Sequence, residues 1–309
     1  MAQISRQQEQ IDRGESQRDV CNAPVTLFAL PKPFVGDSLR IQTNAISSWM
    51  RLQSAVNVLL LGDEEGIGEF AVDNDIFHVG DVQRNENGTP LVSSAFEIAH
   101  RVSTSPILVY CNADVILDRG FVRALEGLSN FFAESDEGFL GIGQRTDLSI
   151  ERLIEFANPH DVESLMEACE KNGRRSSAVC KEYFAFSRNL YQSIPPFAVG
   201  RGNWDNWMVA RAHQNGTPVV DLSSQVLAIH QMHDYGHAGA SRMACYVNGA
   251  EARENQRLAG GRNLIAGSTA SHVLGINGVE KIGTLRKMSR FVWDLPRFAR
   301  LLIQLLVQK

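Results

Sequence analysis

Two oxygen-bearing side chains follow directly on an apolar stretch of the chain. Ile107–Cys111 reads ILVYC and runs into Asn112, Ala113 and Asp114. In an extended chain, positions i and i+2 project to the same side, so Asn112 and Asp114 share a direction. Hard cations such as Mg²⁺ and Mn²⁺ bind oxygen ligands of this kind and often share them with phosphates. The pattern predicts a metal site, with a strand end followed by an ordinary Asx turn as the alternative.

A glycine-rich stretch offers a second candidate site. Residues 200–205 read GRGNWD and precede a helix predicted over Trp207–Gln214. Asp205 either caps that helix or belongs to a ligand site. Glycine lets a ligand approach the backbone, and Trp204 supplies a flat surface suited to a sugar ring. Both interpretations fit these residues.

Three of the eight histidines lie within eight positions, in the stretch HQMHDYGH that begins at His230. They follow a strand predicted over Val226–Ile229. Imidazole nitrogens bind metals, so His230, His233 and His237 predict a metal or phosphate site. Zinc hydrolysis is a weaker alternative, because the H-E-x-x-H pattern with its glutamate is not matched.

The elements that would position these groups alternate along the chain. The apolar patterns predict, in order, strand Val25–Leu30, helix Asp37–Gln53, strand Val56–Leu61, helix Leu91–Val102 and strand Ile107–Cys111. Continuous apolar strands in this β-α-β-α-β order are typical of a mostly parallel sheet with helices on both faces. Ligands bind beyond the carboxyl ends of such strands, which is where the polar residues lie.

The second half of the sequence is less regular. Short strands are predicted over Phe139–Gly143 and Tyr183–Ser187. Arg145 leaves the first of them and is a candidate ligand for phosphate or carboxylate, with a surface ion pair as the alternative. No internal repeat or linker divides the chain. We therefore predict one domain over residues 23–280, after a loose polar leader over 1–22.

Composition excludes some functions. The chain has 309 residues and a formal net charge of −5, so it lacks the basic footprint of a dedicated nucleic-acid binder. Five scattered cysteines without C-x-x-C spacing indicate a reducing compartment. With no signal peptide and no apolar run of membrane-spanning length, the sequence predicts a cytoplasmic protein.

The last residues form a separate electrostatic segment. Residues 281–309 contain seven Lys or Arg and one Asp. Over 285–306 these basic residues alternate with large apolar ones around Pro296, which predicts a basic amphipathic helical tail. Such a tail either makes peripheral contact with an anionic membrane or packs on the core of the protein.

The order of these features resembles the GT-A glycosyltransferases of the family 2 type, which use nucleotide-sugar donors on a Rossmann-like α/β domain. The resemblance covers roughly residues 24–237. It implies that Asp63 contacts the nucleotide base, that Asn112 and Asp114 stand for the D-x-D motif, and that His230 or His233 completes the metal site. The GRGNWD loop is similar to the W-G-x-E-D loop of the beta-1,4-galactosyltransferases, which places Asp205 at the catalytic acid.

The resemblance implies a metal-dependent enzyme with Mn²⁺ or Mg²⁺ and a nucleotide-diphosphate sugar as donor. Asp205 would deprotonate an acceptor hydroxyl, giving inversion, in glycan or polysaccharide assembly. Arg145 and Trp204 would add donor contacts. Asn112 replaces the first acid of D-x-D, and Trp204 replaces the glutamate of W-G-x-E-D. These departures put metal affinity and sugar identity in question.

Two other functions fit parts of the sequence. A sugar nucleotidyltransferase would need a loop rich in glycine and basic residues after the first strand, but residues 30–34 read LPKPF and offer only Lys32. A non-catalytic module that binds sugars or nucleotide sugars is favoured by the amide at Asn112. Turnover of a nucleotide sugar separates these functions.

Overall fold

The computed structural model describes residues 23–52, 55–133, 137–176, 180–233, 249–261 and 270–283. The predicted leader over 1–22, the tail over 285–306 and His237 lie outside these residues. The strands are β1 (Val25–Ala29), β2 (Val56–Leu61), β3 (Phe77–Val79), β4 (Ile107–Cys111), β5 (Val115–Leu117), β6 (Leu140–Leu148), β7 (Arg174–Arg175), β8 (Lys181–Ser187), β9 (Val219–Asp221), β10 (Ala228–Gln231), β11 (His272–Gly275) and β12 (Gly278–Lys281). The helices are α1 (Gly36–Met50), α2 (Ile67–Asp73), α3 (Val92–Val102), α4 (Gly120–Phe132), α5 (Pro159–Asn172), α6 (Trp204–Gln214) and α7 (Ala250–Leu258).

The main sheet has the order β12-β11-β9-β6-β8-β4-β1-β2-β3. Strands β4, β1, β2 and β3 are mutually parallel, so their carboxyl ends share one edge. Strand β8 is antiparallel between β4 and β6. The predicted α/β class, with a mostly parallel sheet flanked by helices, is confirmed.

A smaller group of strands forms along the second half of β6. The pairing register of β6 shifts between Ile142 and Gln144, which lets the strand leave the main sheet. Beyond this irregularity, β6 pairs in parallel with β10, and β10 pairs in antiparallel fashion with β5. The candidate histidines at the end of β10 are thereby carried to the polar end of β4.

Strand β1 is covered on both faces, as the continuous apolar pattern predicts. Leu27 joins one buried apolar cluster and Phe28 joins the other. Helix α1 packs beneath the polar turn after β4, where Trp49 donates its indole N–H to the carbonyl of Val115 at 2.9 Å. Among the described residues, no helix has the length and apolar character that a membrane crossing requires.

Candidate functional site

Asp114, His230 and His233 meet at the carboxyl end of β4. Each offers one possible metal-binding atom, and these atoms all lie within 4.8 Å of one another. Asp114 Oδ2 is 3.1 Å from His233 Nε2 and 3.5 Å from His230 Nε2. The pairing of β5 with β10 sets Val115 opposite His230, and this register brings the acid and the imidazoles together. The three residues, which the resemblance implied as ligands, are called the metal cluster below.

The ionisation and hydrogen bonding of Asp114 suit a bound cation. Burial opposes ionisation, but hydrogen bonds from His230 and His233 and the charge of Lys32 hold the pKa of Asp114 well below its ordinary value. Burial also opposes charge on His230, yet the hydrogen bond and charge of Asp114 raise the pKa of that imidazole. Asp114 Oδ1 is buried and has no hydrogen-bond partner among the described residues. Such an orphaned oxygen needs a partner, and a divalent cation would supply it.

The donor set also indicates which cation fits. Carboxylate oxygen suits both Mg²⁺ and Mn²⁺, whereas imidazole nitrogen binds a transition-metal ion such as Mn²⁺ more readily than it binds Mg²⁺. Two imidazoles beside one carboxylate therefore favour Mn²⁺ over Mg²⁺. The residues present fit the metal that the resemblance implies.

A second carboxylate, that of Asp147, contacts the ring of His230 on the nitrogen that does not face Asp114. Asp147 Oδ1 lies 3.0 Å from Nδ1 of His230. Ser176 donates to the other oxygen of Asp147 at 2.8 Å, and Arg145 Nε lies 2.8 Å from Asp147 Oδ1. With its Nδ1 proton held by Asp147, His230 can lose the Nε2 proton that it shares with Asp114, and the Nε2 lone pair then becomes available to a cation. Asp147 was not predicted from the sequence.

We expect Asp147→Asn to weaken Mn²⁺ binding by about 10- to 100-fold, because the neutral amide no longer raises the basicity of His230. Isothermal titration of the protein with Mn²⁺ measures the change. Asp161→Asn is the matched control, since Asp161 is an acid that pairs with Arg152 at a distance of 2.8 Å. Equal Mn²⁺ affinity in wild type and Asp147→Asn would contradict the supporting role.

The amide at Asn112 is paired with a buried acid from the neighbouring strand. Its Nδ2 donates to Glu182 Oε2, and its backbone N–H donates to the carbonyl of Glu182 at 2.9 Å. Glu182 is 8% exposed, and burial together with the charge of Asp114 raises its pKa, against the effects of Arg145 and Asn112. The carboxylate that Asn112 itself lacks is thus supplied next to it by Glu182, from the neighbouring strand β8. The charged pair Lys181-Glu182 opening an apolar strand is the sequence signal that could have found it.

Arg145 is engaged by two acids of the protein. It donates from Nη1 to Glu182 and lies beside Asp147, and its side chain is 12% exposed. Burial opposes the charge on Arg145, but the attraction of these carboxylates raises its pKa above the ordinary value. The guanidinium therefore ties Glu182 to Asp147. Its predicted phosphate contact stays a prediction, and the contacts seen give it a structural role.

Asp63 follows β2 at the same edge of the sheet. Its side chain is 71% exposed and accepts a hydrogen bond from Arg84, which also binds Glu64 Oε1 at 2.8 Å. The hydrogen bond and charge of Arg84 lower the pKa of Asp63. An ionised, accessible acid at this edge is compatible with the predicted contact to a nucleotide base, which stays a prediction.

Helix α6 begins at Trp204, three residues before the predicted start. The ring of Trp204 lies 5.1 Å from Tyr110 and 5.3 Å from Phe184, centroid to centroid, and the residue is 7% exposed. Tyr110 and Phe184 pair across β4 and β8, next to the polar end that carries Asn112. Trp204 therefore anchors the helix instead of presenting the open face that sugar stacking requires. Asp205, the next residue, is partly exposed in the first turn of α6.

Trp204→Ala is expected to lower the free energy of unfolding by about 3–5 kcal/mol, because it removes an aromatic side chain from a packed core. Urea unfolding followed by circular dichroism measures this loss. Trp207→Ala is the control, since Trp207 contacts Tyr191 and Phe197 but is only partly buried. A loss no larger than that of Trp207→Ala would argue against the anchoring role.

Comparison with known proteins gives similarity to solved structures only. No family model and no curated protein matches this chain. Glucosyl-3-phosphoglycerate synthase from Mycobacterium tuberculosis, in complex with Mn²⁺, uridine diphosphate and phosphoglyceric acid, is 15% identical, with 78% of this chain and 80% of that chain covered and a TM-score of 0.44. A mannosyltransferase from Pyrobaculum calidifontis, in complex with GDP-mannose and Mn²⁺, is 15% identical, with 72% and 62% covered and a TM-score of 0.42. A nucleotide-diphospho-sugar transferase from Desulfovibrio desulfuricans is 10% identical, with 77% and 97% covered and a TM-score of 0.40. These similarities concern the fold.

Proposed function

We propose that this protein is a metal-dependent glycosyltransferase that moves a sugar from a nucleotide-diphosphate sugar to a hydroxyl acceptor, with inversion. The observation that carries the proposal is the metal cluster at the carboxyl end of β4, where Asp114 keeps a buried oxygen without a partner among the described residues. In open α/β sheets this is the edge at which ligands bind.

The side chains around the cluster have distinct tasks. Asp114, His230 and His233 would hold Mn²⁺, with His230 oriented by Asp147. A bound divalent cation supplies charge stabilisation to a diphosphate leaving group. Lys32, whose charge already acts on Asp114, adds a cation at the end of β1. Its backbone is held by Gln42, which accepts from the Lys32 N–H at 2.6 Å and donates to the Lys32 carbonyl at 2.9 Å.

Asp205 is assigned the proton transfer. An acceptor hydroxyl becomes a better nucleophile as its proton passes to a carboxylate oxygen, and Asp205 supplies such an oxygen at the start of α6. Attack from the side opposite the leaving diphosphate inverts the anomeric centre. Asp63, ionised beside Arg84, is assigned to the nucleotide base. We further propose that the acceptor belongs to glycan or polysaccharide assembly in the cytoplasm, with peripheral membrane contact through residues 285–306.

Donor binding and turnover test the proposal together. The protein is screened with UDP-, GDP- and dTDP-sugars with and without Mn²⁺, following the melting temperature and the release of nucleoside diphosphate. We expect one nucleotide to raise the melting temperature only when Mn²⁺ is present, because ligands that bind the native state stabilise it. Release of the matching diphosphate with an acceptor should follow. A shift without turnover would favour the binding module, and no shift with any donor would contradict the proposal.

A further inference from the structure

Helix α7 contacts residues 198–203, the loop that leads to Asp205. Asn255, near the middle of this helix, is 1% exposed. Its Oδ1 accepts from the Ala198 N–H at 2.9 Å, and its Nδ2 donates to the Ala198 carbonyl at 3.0 Å and the Gly202 carbonyl at 3.3 Å. One side chain thus satisfies three backbone groups of the loop.

A second side chain of the same helix binds the loop through an ion pair. Glu251 accepts from Arg201 Nε at 2.9 Å, and Arg201 Nη2 lies 2.7 Å from the same carboxylate. The other oxygen of the Glu251 carboxylate accepts from Asn85 Nδ2 at 2.7 Å. Burial opposes ionisation, but hydrogen bonds from Thr89, Asn85 and Arg201 lower the pKa of Glu251. Glu251 therefore joins α7, the loop and the turn around Asn85 in one charged network.

The loop depends on these contacts because of its own backbone. Residues 199–203 form no helix or strand, and the bends at Gly200 and Asn203 have φ of +70° and +81°. Asparagine is one of the few residues that adopts such a φ without a large penalty. Buried backbone groups outside regular structure need partners from elsewhere, and Asn255 provides them. Asp205 follows only two residues after Asn203, so its position depends on where this loop is held.

We propose that Glu251 and Asn255 are positioning residues for Asp205. The inference rests on the proposed function, in which Asp205 accepts the proton of the acceptor hydroxyl. Misplacing a reacting group by about 1 Å can cost about 100-fold in rate. The metal cluster is built from β10 and the segments that follow β4 and β10, not from α7, so metal and donor binding remain while proton transfer slows.

Three variants of α7 and one control test the proposal. Asn255→Ala removes all three contacts, Asn255→Asp keeps the acceptor for Ala198 but loses both donations, and Glu251→Gln removes the charge that pairs with Arg201. Glu254→Gln is the matched control, because Glu254 lies on the same helix and, within the described part of the chain, forms its ion pair with Arg257 at the exposed surface. Steady-state rates give kcat and the KM for donor and acceptor, Mn²⁺ titration gives metal affinity, and hydrogen exchange follows the Ala198 amide.

We expect Asn255→Ala to lower kcat by about 10- to 100-fold with the donor KM and the Mn²⁺ affinity unchanged. Asn255→Asp and Glu251→Gln should retain more activity, and Glu254→Gln should match wild type. The Ala198 amide should exchange faster in Asn255→Ala, and less so in Asn255→Asp. Fast exchange confined to the loop separates this effect from global unfolding.

Two results would overturn the inference. One is an unchanged kcat with unchanged exchange at Ala198 in Asn255→Ala. The other is a loss shared by kcat, donor KM and Mn²⁺ affinity, which would indicate a general structural role. If the wild-type protein had no transferase activity, the proposed function would be overturned instead. The predicted effect of Glu251 and Asn255 on proton transfer by Asp205 would fall with it. Exchange at Ala198 would then still decide whether Asn255 holds the loop.

Discussion

Asp114→Asn is expected to abolish Mn²⁺-dependent donor binding and to lower kcat/KM by about 1,000-fold or more, the upper range for losing a group that stabilises transition-state charge. The substitution keeps the size of the side chain and one carbonyl oxygen. It removes the negative charge that the two imidazoles and Lys32 stabilise. A neutral amide is a poor ligand for a divalent cation beside two neutral imidazoles, because the cation then gains no opposite charge.

The measurement compares melting-temperature shifts and titrations with Mn²⁺ and donor in wild type and variant. Asp73→Asn is the control, since Asp73 is an exposed acid at the end of α2. The control should keep both the shift and the activity. If folded Asp114→Asn retained a Mn²⁺-dependent shift of wild-type size, the metal cluster would not be the cation site.

Fully buried strands were the elements best predicted from sequence. The bounds predicted for β2 and β4 agree with the structure, and β1 ends one residue earlier than predicted. Each is a predominantly apolar run, with one polar residue in β1 and one in β2, that starts and stops at polar residues or turns, so its pattern defines it. Helices α1 and α3 were placed with small errors at their ends, where helix boundaries are least determined by sequence.

Elements that depend on partners were missed. Strand β5 has three residues and exists through its pairing with β10, which lies more than a hundred residues away. Helix α5 was not predicted because its buried face is narrow, with only Leu165 and Cys169 buried. Its start carried a local signal, since Asn158 caps the helix by accepting from the His160 N–H and proline follows it. The first turn of α6 was missed because the positive φ of Asn203 sets its start.

The candidate site shows the same division. Asp114, His230 and His233 were predicted together because polar residues near strand ends in such sheets meet at one edge, and the structure brings them within reach of one another. Their role as metal ligands stays a prediction. Asp147 and Glu182 were missed because they reach the site through pairing between strands that are far apart in the sequence. Glu182 meets Asn112 through the antiparallel pairing of β8 with β4. The sequence shows a charged pair at the start of β8 but does not show which strand it pairs with. The burial of Trp204 against Tyr110 and Phe184 was not predicted, because composition does not reveal which face of a helix is buried.

Asp205→Asn is expected to lower kcat by about 100- to 10,000-fold, the range for removing a general base. Donor binding and Mn²⁺ affinity should stay at wild-type level, because the metal cluster is built from other elements. The helix should also persist, since Trp204 anchors its first turn against Tyr110 and Phe184. A loss confined to kcat is the signature of a group that acts on the reacting hydroxyl.

A control must separate proton transfer from the effect of an acid at a helix N-terminus. Asp37→Asn provides it, because Asp37 lies in the first turn of α1, is 86% exposed and forms an ion pair with Arg40 of the same helix. Both variants lose the favourable interaction of a first-turn acid with the helix dipole, which is worth about 0.3–1 kcal/mol. Only Asp205→Asn should lose transfer. If the two variants lost equal stability and both kept full kcat, Asp205 would be a helix-stabilising acid, and the base for the reaction would have to be another group.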